Sequence, residues 1–479
     1  MSNHPLSKRI GLFLGPILFL ILQFSSLNLI SETADTVIGV ATWMVIWWIT
    51  EAVSISVTAL LPLLLFPLFK IMPMADVGAN YGSPIVFLFF GGFVLALALE
   101  KVNLHKRIAL TIIKLTGTSP NRVILGFMIA TAFMSMWISN TASTVVMLPI
   151  AMSVINLLIN DEDGFTKSDK NFALSVMLGI AFAANAGGIA TVIGTPPNSV
   201  LIGLLENEYN TQISFVKWMS FGLPFSVLLV TIVYLILVKV LFPCKGLVFG
   251  ASNSVITNEL KKLGKLSSKE KHVLIIFAVI VSLWILRSLI NQLIPTLGLN
   301  DTMISIFGAI ALFAVPHNLK KGDFVLQWKD TQKLAWGILI LFGGGLALAK
   351  GMSASGIVDV VANGISNANI SVLAAASLLI VLMLFMTELM SNVALTAVLA
   401  PVVAGIAIGL DIPILHLLIP VTIASSCAFM LPMATPPNAI VFASGFIKVP
   451  QMARAGIILN LISVALLILL FQLVMPILF

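Results

Sequence analysis

Residues 138–149 read ISNTASTVVMLP, and residues 390–401 read MSNVALTAVLAP. The first phrase puts five hydroxyl or amide side chains into the six positions 139–144 of a chain that is 59% hydrophobic. Ser and Asn present oxygens that a small cation can use, and Asn and Thr also carry donors that a carboxylate can accept from. One such phrase reads equally well as interhelical glue. Two copies, each followed by a TPPN tetrapeptide (IGTPPNSVLIG at 193–203, MATPPNAIVFA at 433–443), read as a site. Adjacent prolines remove two backbone donors and restrict the residue before them, so each TPPN predicts a broken helix. The freed carbonyls suit a hard cation, and the new half-helix N-terminus suits an anion.

Other candidates are fewer. Glu388, in TELMSN, is an intramembrane acid, and such a group is either functional or a brace for the hairpin it sits in. Glu51 falls near a span boundary and reads as structural. Trp43, Trp47 and Trp48 are expected as interfacial anchors. Cys244 and Cys427 belong to no metal-ligand or redox spacing.

The elements that must position these residues follow from composition. With 479 residues, 9% of them charged, and a mean hydropathy of +1.10, the chain is an all-α polytopic membrane protein. Apolar runs long enough for a core of roughly 30 Å recur from end to end. Spans are expected at 10–30, 36–50, 53–69, 83–100, 171–208, 215–243, 272–294, 301–316, 333–350, 412–445 and 454–478. Segments 122–158 and 369–409 remain, each interrupted by the polar phrase. Treated as re-entrant hairpins, they leave about 11 crossings, the N-terminus in the cytoplasm and the C-terminus outside. That treatment gathers most basic residues on the cytoplasmic side of an inner membrane, among them Lys101, Lys106, Arg107, Lys245, the run KKLGKLSSKEK, Lys320 and Lys321. The positive-inside rule thereby explains the net charge of +7 without nucleic acid. KVNLHKRIALTIIKLTG, after Glu100, reads as an amphipathic helix on the inner interface, and GMSASGIVDVVANGISN, after Lys350, takes the matching place outside.

The two halves repeat. FLFFGGFVLALALEK (87–101) aligns with LILFGGGLALAKGM (339–352) at an offset of 252, which also relates Ser139, Asn140, Thr144 and Pro149 to Ser391, Asn392, Thr396 and Pro401. The TPPN pair follows at 240, the slip absorbed by the insertion NDEDGFTKSDK. An odd number of crossings between equivalent spans inverts the second copy. The expected organisation is an N-terminal span (1–35), a first repeat (36–243), a basic cytoplasmic linker (244–271) and a second repeat (272–479).

With WWITEAVSISVTALLPL, FGG, SNT, GTPPN, TELMSN and MLPMATPPNAIVF in order, nearly the whole chain resembles the divalent anion:sodium symporters, the INDY-type di- and tricarboxylate transporters. The resemblance implies a homodimer, with a scaffold and a transport part in each protomer and elevator-type alternating access. It implies a first sodium site from Ser135, Ser139, Asn140 and Gly194, and a second from Thr387, Met390, Asn392 and Ala434. Substrate carboxylates would lie against Asn140 and Thr141, with Asn392, Thr195, Pro196, Thr435 and Pro436 near them. Val393 departs from the Ser-Asn-Thr common in the family's second copy and removes a hydroxyl.

The expected function is sodium-coupled symport of C4-dicarboxylates such as succinate. A sodium-independent exchanger, or a citrate or sulfate carrier of the same family, is the alternative. An enzyme is disfavoured because the spans hold no cluster of His, Cys or paired acids. A channel is disfavoured by the paired hairpins.

Overall fold

The computed structural model describes residues 6–24, 30–117, 119–159, 165–244, 252–318, 323–368 and 370–479. Among these, nine helices are long and apolar enough to cross a membrane, and shorter apolar helices stand beside them. The chain is a multi-pass, all-α membrane protein.

The expected spans appear with local breaks. Helices Leu6–Phe24 and Glu32–Thr50 pack on each other. Of the tryptophans expected as interfacial anchors, Trp43 and Trp47 are half-buried, Trp43 tilting against Phe19 (5.5 Å) and meeting Trp47 edge-on (5.2 Å), while Trp48 is buried and donates to Ile55 O at 3.0 Å. Short helices Ile55–Thr58, Leu61–Leu68 and Met74–Tyr81 lead into Pro84–Lys101. Phe215–Leu235, Ser268–Leu293, Asp301–Ala314, Trp336–Ala354 and Val449–Leu469 supply further spans. Both TPPN segments break their helices as the paired prolines require, giving Lys167–Gly188 with Pro196–Tyr209, and Ile414–Ser425 with Pro436–Phe442.

The two leftover segments are each a pair of helices around the polar phrase. Pro120–Ser135 and Asn140–Ile159 form one, and Val372–Met386 and Asn392–Gly409 the other. Each is held by the helix that precedes it: Leu104–Thr116 packs on Pro120–Ser135, and Ile357–Asn367 packs on Asn392–Gly409.

Part of the basic linker forms a helix, Ser252–Leu263, docked on Leu104–Thr116. Arg107 makes the joint: its guanidinium donates to Glu270 Oε1 (2.6 Å), Gly264 O (2.9 Å) and Leu263 O (3.0 Å). The last carbonyls of the linker helix are thus capped by a side chain from another element, with a forked donor suited to several acceptors at once. Lys106 adds Glu259 at 2.9 Å, and Lys101 reaches Asp330 at 2.6 Å on the same face. Lys245, Lys320 and Lys321, and residues 160–164 of the polar insertion, lie outside the described residues.

At the centre, every side chain of Lys167–Gly188 from Phe172 on is buried. Both arms of the first hairpin, Phe215–Leu235 and the half-helix Pro436–Phe442 surround it. Its small-residue stretch AFAANAGG allows these backbones to approach closely.

Candidate functional site

Each polar phrase does two jobs, one per residue. Ser139 Oγ accepts from Ala142 N (3.2 Å) and Ser391 Oγ from Ala394 N (3.5 Å), so the serines cap the returning arms. That places Asn140 and Asn392 at the first helical position, beside the end of the outgoing arm, Ser135 in one copy and Thr387 in the other. Thr144 and Thr396 bond back to the carbonyls of Asn140 (2.9 Å) and Asn392 (2.8 Å), fixing the first turn identically in both copies.

The first asparagine sits in a ring of oxygens. One end of the Asn140 amide lies 2.5 Å from Ser135 Oγ, 3.2 Å from Ala184 O and 3.3 Å from Gly194 O. Ser135 also contacts Ala184 O at 2.8 Å, so its single proton is shared among acceptors. With the amide nitrogen turned inward, it donates to all three partners. With the oxygen inward, four oxygens converge, and this is the donor set of a small hard cation. The ring depends on the absence of side chains at two glycines: a Cβ on Gly188 would lie 2.6 Å from the Asn140 amide, and one on Gly194 would lie 2.5 Å from Gly188 O.

The second asparagine repeats the pattern. Thr387 Oγ1 lies 2.7 Å from Asn392 Oδ1 and 2.9 Å from Ser425 O, again one proton between two acceptors. Thr387 and Asn392 stand 252 residues after Ser135 and Asn140. Ser135 and Thr387 are fully buried, whereas both asparagines are only half-buried and open to a ligand.

The breaks are built as carefully. The prolines hold Thr195 and Thr435 extended and start each half-helix with a residue whose missing N–H would have had no partner. The asparagine of each TPPN ties the loop: Asn198 Nδ2 donates to Gly188 O (3.3 Å) and Thr191 O (2.9 Å), and Asn438 Nδ2 to Ala428 O (3.2 Å) and Leu431 O (3.1 Å). Both pairs of acceptors are 240 residues apart. The half-helices cross over: Pro196–Tyr209 packs on the arm Asn392–Gly409, and Pro436–Phe442 on the arm Asn140–Ile159.

Glu388 belongs to the second break. Its carboxylate accepts from Phe429 N (2.8 Å), Met430 N (2.9 Å), Leu431 N (3.0 Å) and Asn460 Nδ2 (2.7 Å), with the side chain buried. It fastens to the hairpin tip a loop that the helix has released. The first half does this with neutral groups, Thr191 Oγ1 donating to Met136 O at 2.6 Å.

Of the residues expected at the first ion site, Ser135, Asn140 and Gly194 come together, while the Ser139 hydroxyl is engaged in capping. At the second, Thr387 and Asn392 meet; Met390 is half-buried in the turn, and the Ala434 N–H donates to Leu431 O. Thr141 is exposed at the first tip, Val393 packs against the apolar core, Pro196 is half-buried and Pro436 exposed, and Thr195 and Thr435 are buried behind them. Ala184, Ser425, Gly188, Asn198 and Asn438 were not singled out by residue type. The asparagines of TPPN had the available signal, being polar side chains placed beside a backbone break.

Known proteins resemble the chain over nearly its full length. The family described as the sodium:sulfate symporter transmembrane region matches residues 9–479. A sodium-dependent dicarboxylate transporter SdcS of Staphylococcus saprophyticus is 39% identical over 482 residues, covering 99% of this chain and 93% of that one. Its namesake in Staphylococcus aureus is 41% identical over 478 residues, covering 98% and 91%. In fold alone, the chain is similar to the Alcanivorax borkumensis YdaH transporter, with a TM-score of 0.56, 14% identity, and coverage of 84% and 88%. It is likewise similar to Neisseria gonorrhoeae MtrF, with a TM-score of 0.51, 15% identity and 84% of each chain covered.

Proposed function

The chain belongs to the sodium:sulfate symporter family, the divalent anion:sodium symporters, and from that premise we propose that it is a sodium-coupled symporter of C4-dicarboxylates of the succinate, malate and fumarate class. It is a transporter and not an enzyme. Curated relatives at about 40% identity over nearly the full length are sodium-dependent dicarboxylate transporters.

The observation that carries the reading is the matched pair of oxygen sets at the two asparagines. Neither set, nor either SN phrase or TPPN break, includes a Lys or Arg. A dianion in a membrane interior without compensating charge is costly, and sodium ions on the two rings supply it. The half-helix Pro196–Tyr209 adds a positive dipole end. Substrate affinity then depends on sodium occupancy, which is coupling. Thr141 at one tip and Val393 at the other give the dianion chemically unequal ends of a site.

The two halves act as inverted repeats around this site, in keeping with the 252 and 240 offsets shared by their hydrogen bonds. The hairpins, the broken helices and Phe215–Leu235, which packs on Lys167–Gly188 and Pro120–Ser135, form one body, which in the elevator reading slides against a scaffold of the remaining spans, within a homodimer. The basic face with Arg107 and Lys106 is the cytoplasmic one of an inner membrane, with the N-terminus on that side.

The test is succinate uptake into proteoliposomes with and without an inward sodium gradient. Sodium-driven accumulation is expected. Uptake that ignores sodium but requires dicarboxylate inside would sink symport and favour exchange, and a preference for citrate or sulfate in competition would move the substrate class.

A further inference from the structure

Asn185 is not part of either oxygen ring, yet it touches the machinery of both. It lies in the first broken helix, one residue after Ala184, whose carbonyl belongs to the first ring. Its side chain is buried, 1% exposed, and its amide nitrogen points into the other half of the chain. There it lies 3.1 Å from Thr435 Oγ1, 3.3 Å from Ala428 O and 3.4 Å from Asn438 Oδ1.

Those three acceptors belong to the second break. Thr435 caps the half-helix Pro436–Phe442, also accepting from Asn438 N at 3.3 Å. Asn438 holds Ala428 and Leu431, and the next N–H groups of that loop are bound to Glu388, the neighbour of Thr387 in the second ring. Hydrogen bonds run from Asn185 through Asn438 and Leu431 to Glu388, crossing between halves at one buried amide, and the two ends are chain neighbours of Ala184 and Thr387. The residue 240 positions later, Ser425, keeps its hydroxyl in its own half, donating to Thr422 O at 2.7 Å. The link is one-sided.

We propose that Asn185 is a positioning residue that couples the two ion sites, so that an ion drawing Ala184 O into the first ring sets the second break for its own ion and for substrate. The inference rests on the sodium-symport reading and adds a residue to it. A neutral amide in a dry interior transmits position well, because each acceptor it leaves costs an unpaired buried group. Coupling between two sodium sites appears as a Hill coefficient above 1, with the number of sites, about 2, as its ceiling.

The experiment is the sodium dependence of succinate uptake by the full chain in proteoliposomes. Wild type is expected to be cooperative. Asn185→Ala should lower the Hill coefficient below the wild-type value and raise half-saturating sodium about tenfold, with the succinate KM at saturating sodium moving less than about twofold. Asn185→Ser serves as the second variant, since its hydroxyl can turn back to its own helix carbonyls and the bridge is removed with a small volume change. It should show the same loss of cooperativity. Variants that keep wild-type cooperativity while only the maximal rate falls would overturn the inference and leave Asn185 a packing residue. Wild-type uptake with no sodium dependence would instead overturn the symport reading, and is seen before any variant is made.

Discussion

At the residue scale, the two asparagines carry the strongest expectation. Asn140→Ala and Asn392→Ala should each lower sodium-driven succinate uptake about 100-fold, because each removes a ligand from a set of oxygens with no charge to spare. Size-exclusion profiles should stay monodisperse, and normal uptake by either variant would remove its ring from the site. Val393→Thr restores a hydroxyl at the second tip and should shift the preference among succinate, citrate and sulfate in competition assays; an unchanged profile would show that this position does not select substrate. Glu388→Ala should act on stability. It strips the acceptor from three backbone N–H groups and the Asn460 amide, at a cost of about 1–3 kcal/mol for each group left unpaired. A thermal midpoint lowered by several degrees is expected, with Glu388→Gln in between.

At the scale of elements, the linker helix Ser252–Leu263 gives a pH-dependent expectation. Hydrogen bonds from Lys262 and then Lys106 hold the Glu259 carboxyl below its ordinary pKa. A depressed folded-state value means that this tie is fully present at neutral pH and is lost as pH falls through the depressed carboxylate range. Hydrogen-exchange protection of the helix, corrected for intrinsic rates, should therefore drop on acidification and in high salt. Undiminished protection in acid would assign the docking to packing and to the bonds that Arg107 gives Leu263 O and Gly264 O, since its partner Glu270 is a carboxylate that also loses its charge in acid. Most elements were legible in the sequence, since hydropathy marks spans and TPPN marks a break wherever it occurs. The halves of each broken helix were legible for the same reason, as two prolines can only start a helix. What stayed hidden is what depends on facing surfaces. Ala184 and Ser425 contribute backbone oxygen, which no residue type announces. The inward turn of Trp48 depends on Ile55 O being within reach of its indole N–H. The brace at Glu388 was one of two readings, and only the loop opposite it could decide between them.

At the scale of the molecule, the sliding motion makes its own demand. Phe215, at the start of its helix, stacks on Trp284 at 4.6 Å and donates its N–H to Asp301 at 2.8 Å, while Arg287 pairs with Asp301 at 2.9 Å. Trp137, in the first hairpin tip, also stacks on Phe215 at 6.1 Å. In the elevator reading the contacts of Phe215 with Trp284 and Asp301 join the moving body to the fixed one and must part in each cycle. Cysteines replacing Phe215 and Trp284, bridged by a mercuric ion in a chain without Cys244 and Cys427, should arrest uptake reversibly by thiol; continued uptake would mean that nothing slides there. The Asn185 bridge has a consequence for biogenesis. Its partners, Ala428, Thr435 and Asn438, are synthesised 243 to 253 residues after it. Until then, the first half stands in lipid with a polar amide that its final partners cannot yet reach, in a solvent that tolerates none unpaired. The nascent first half must be sheltered at the insertion machinery until the second arrives, so chains truncated before Ala428 should be held there and degraded rather than released.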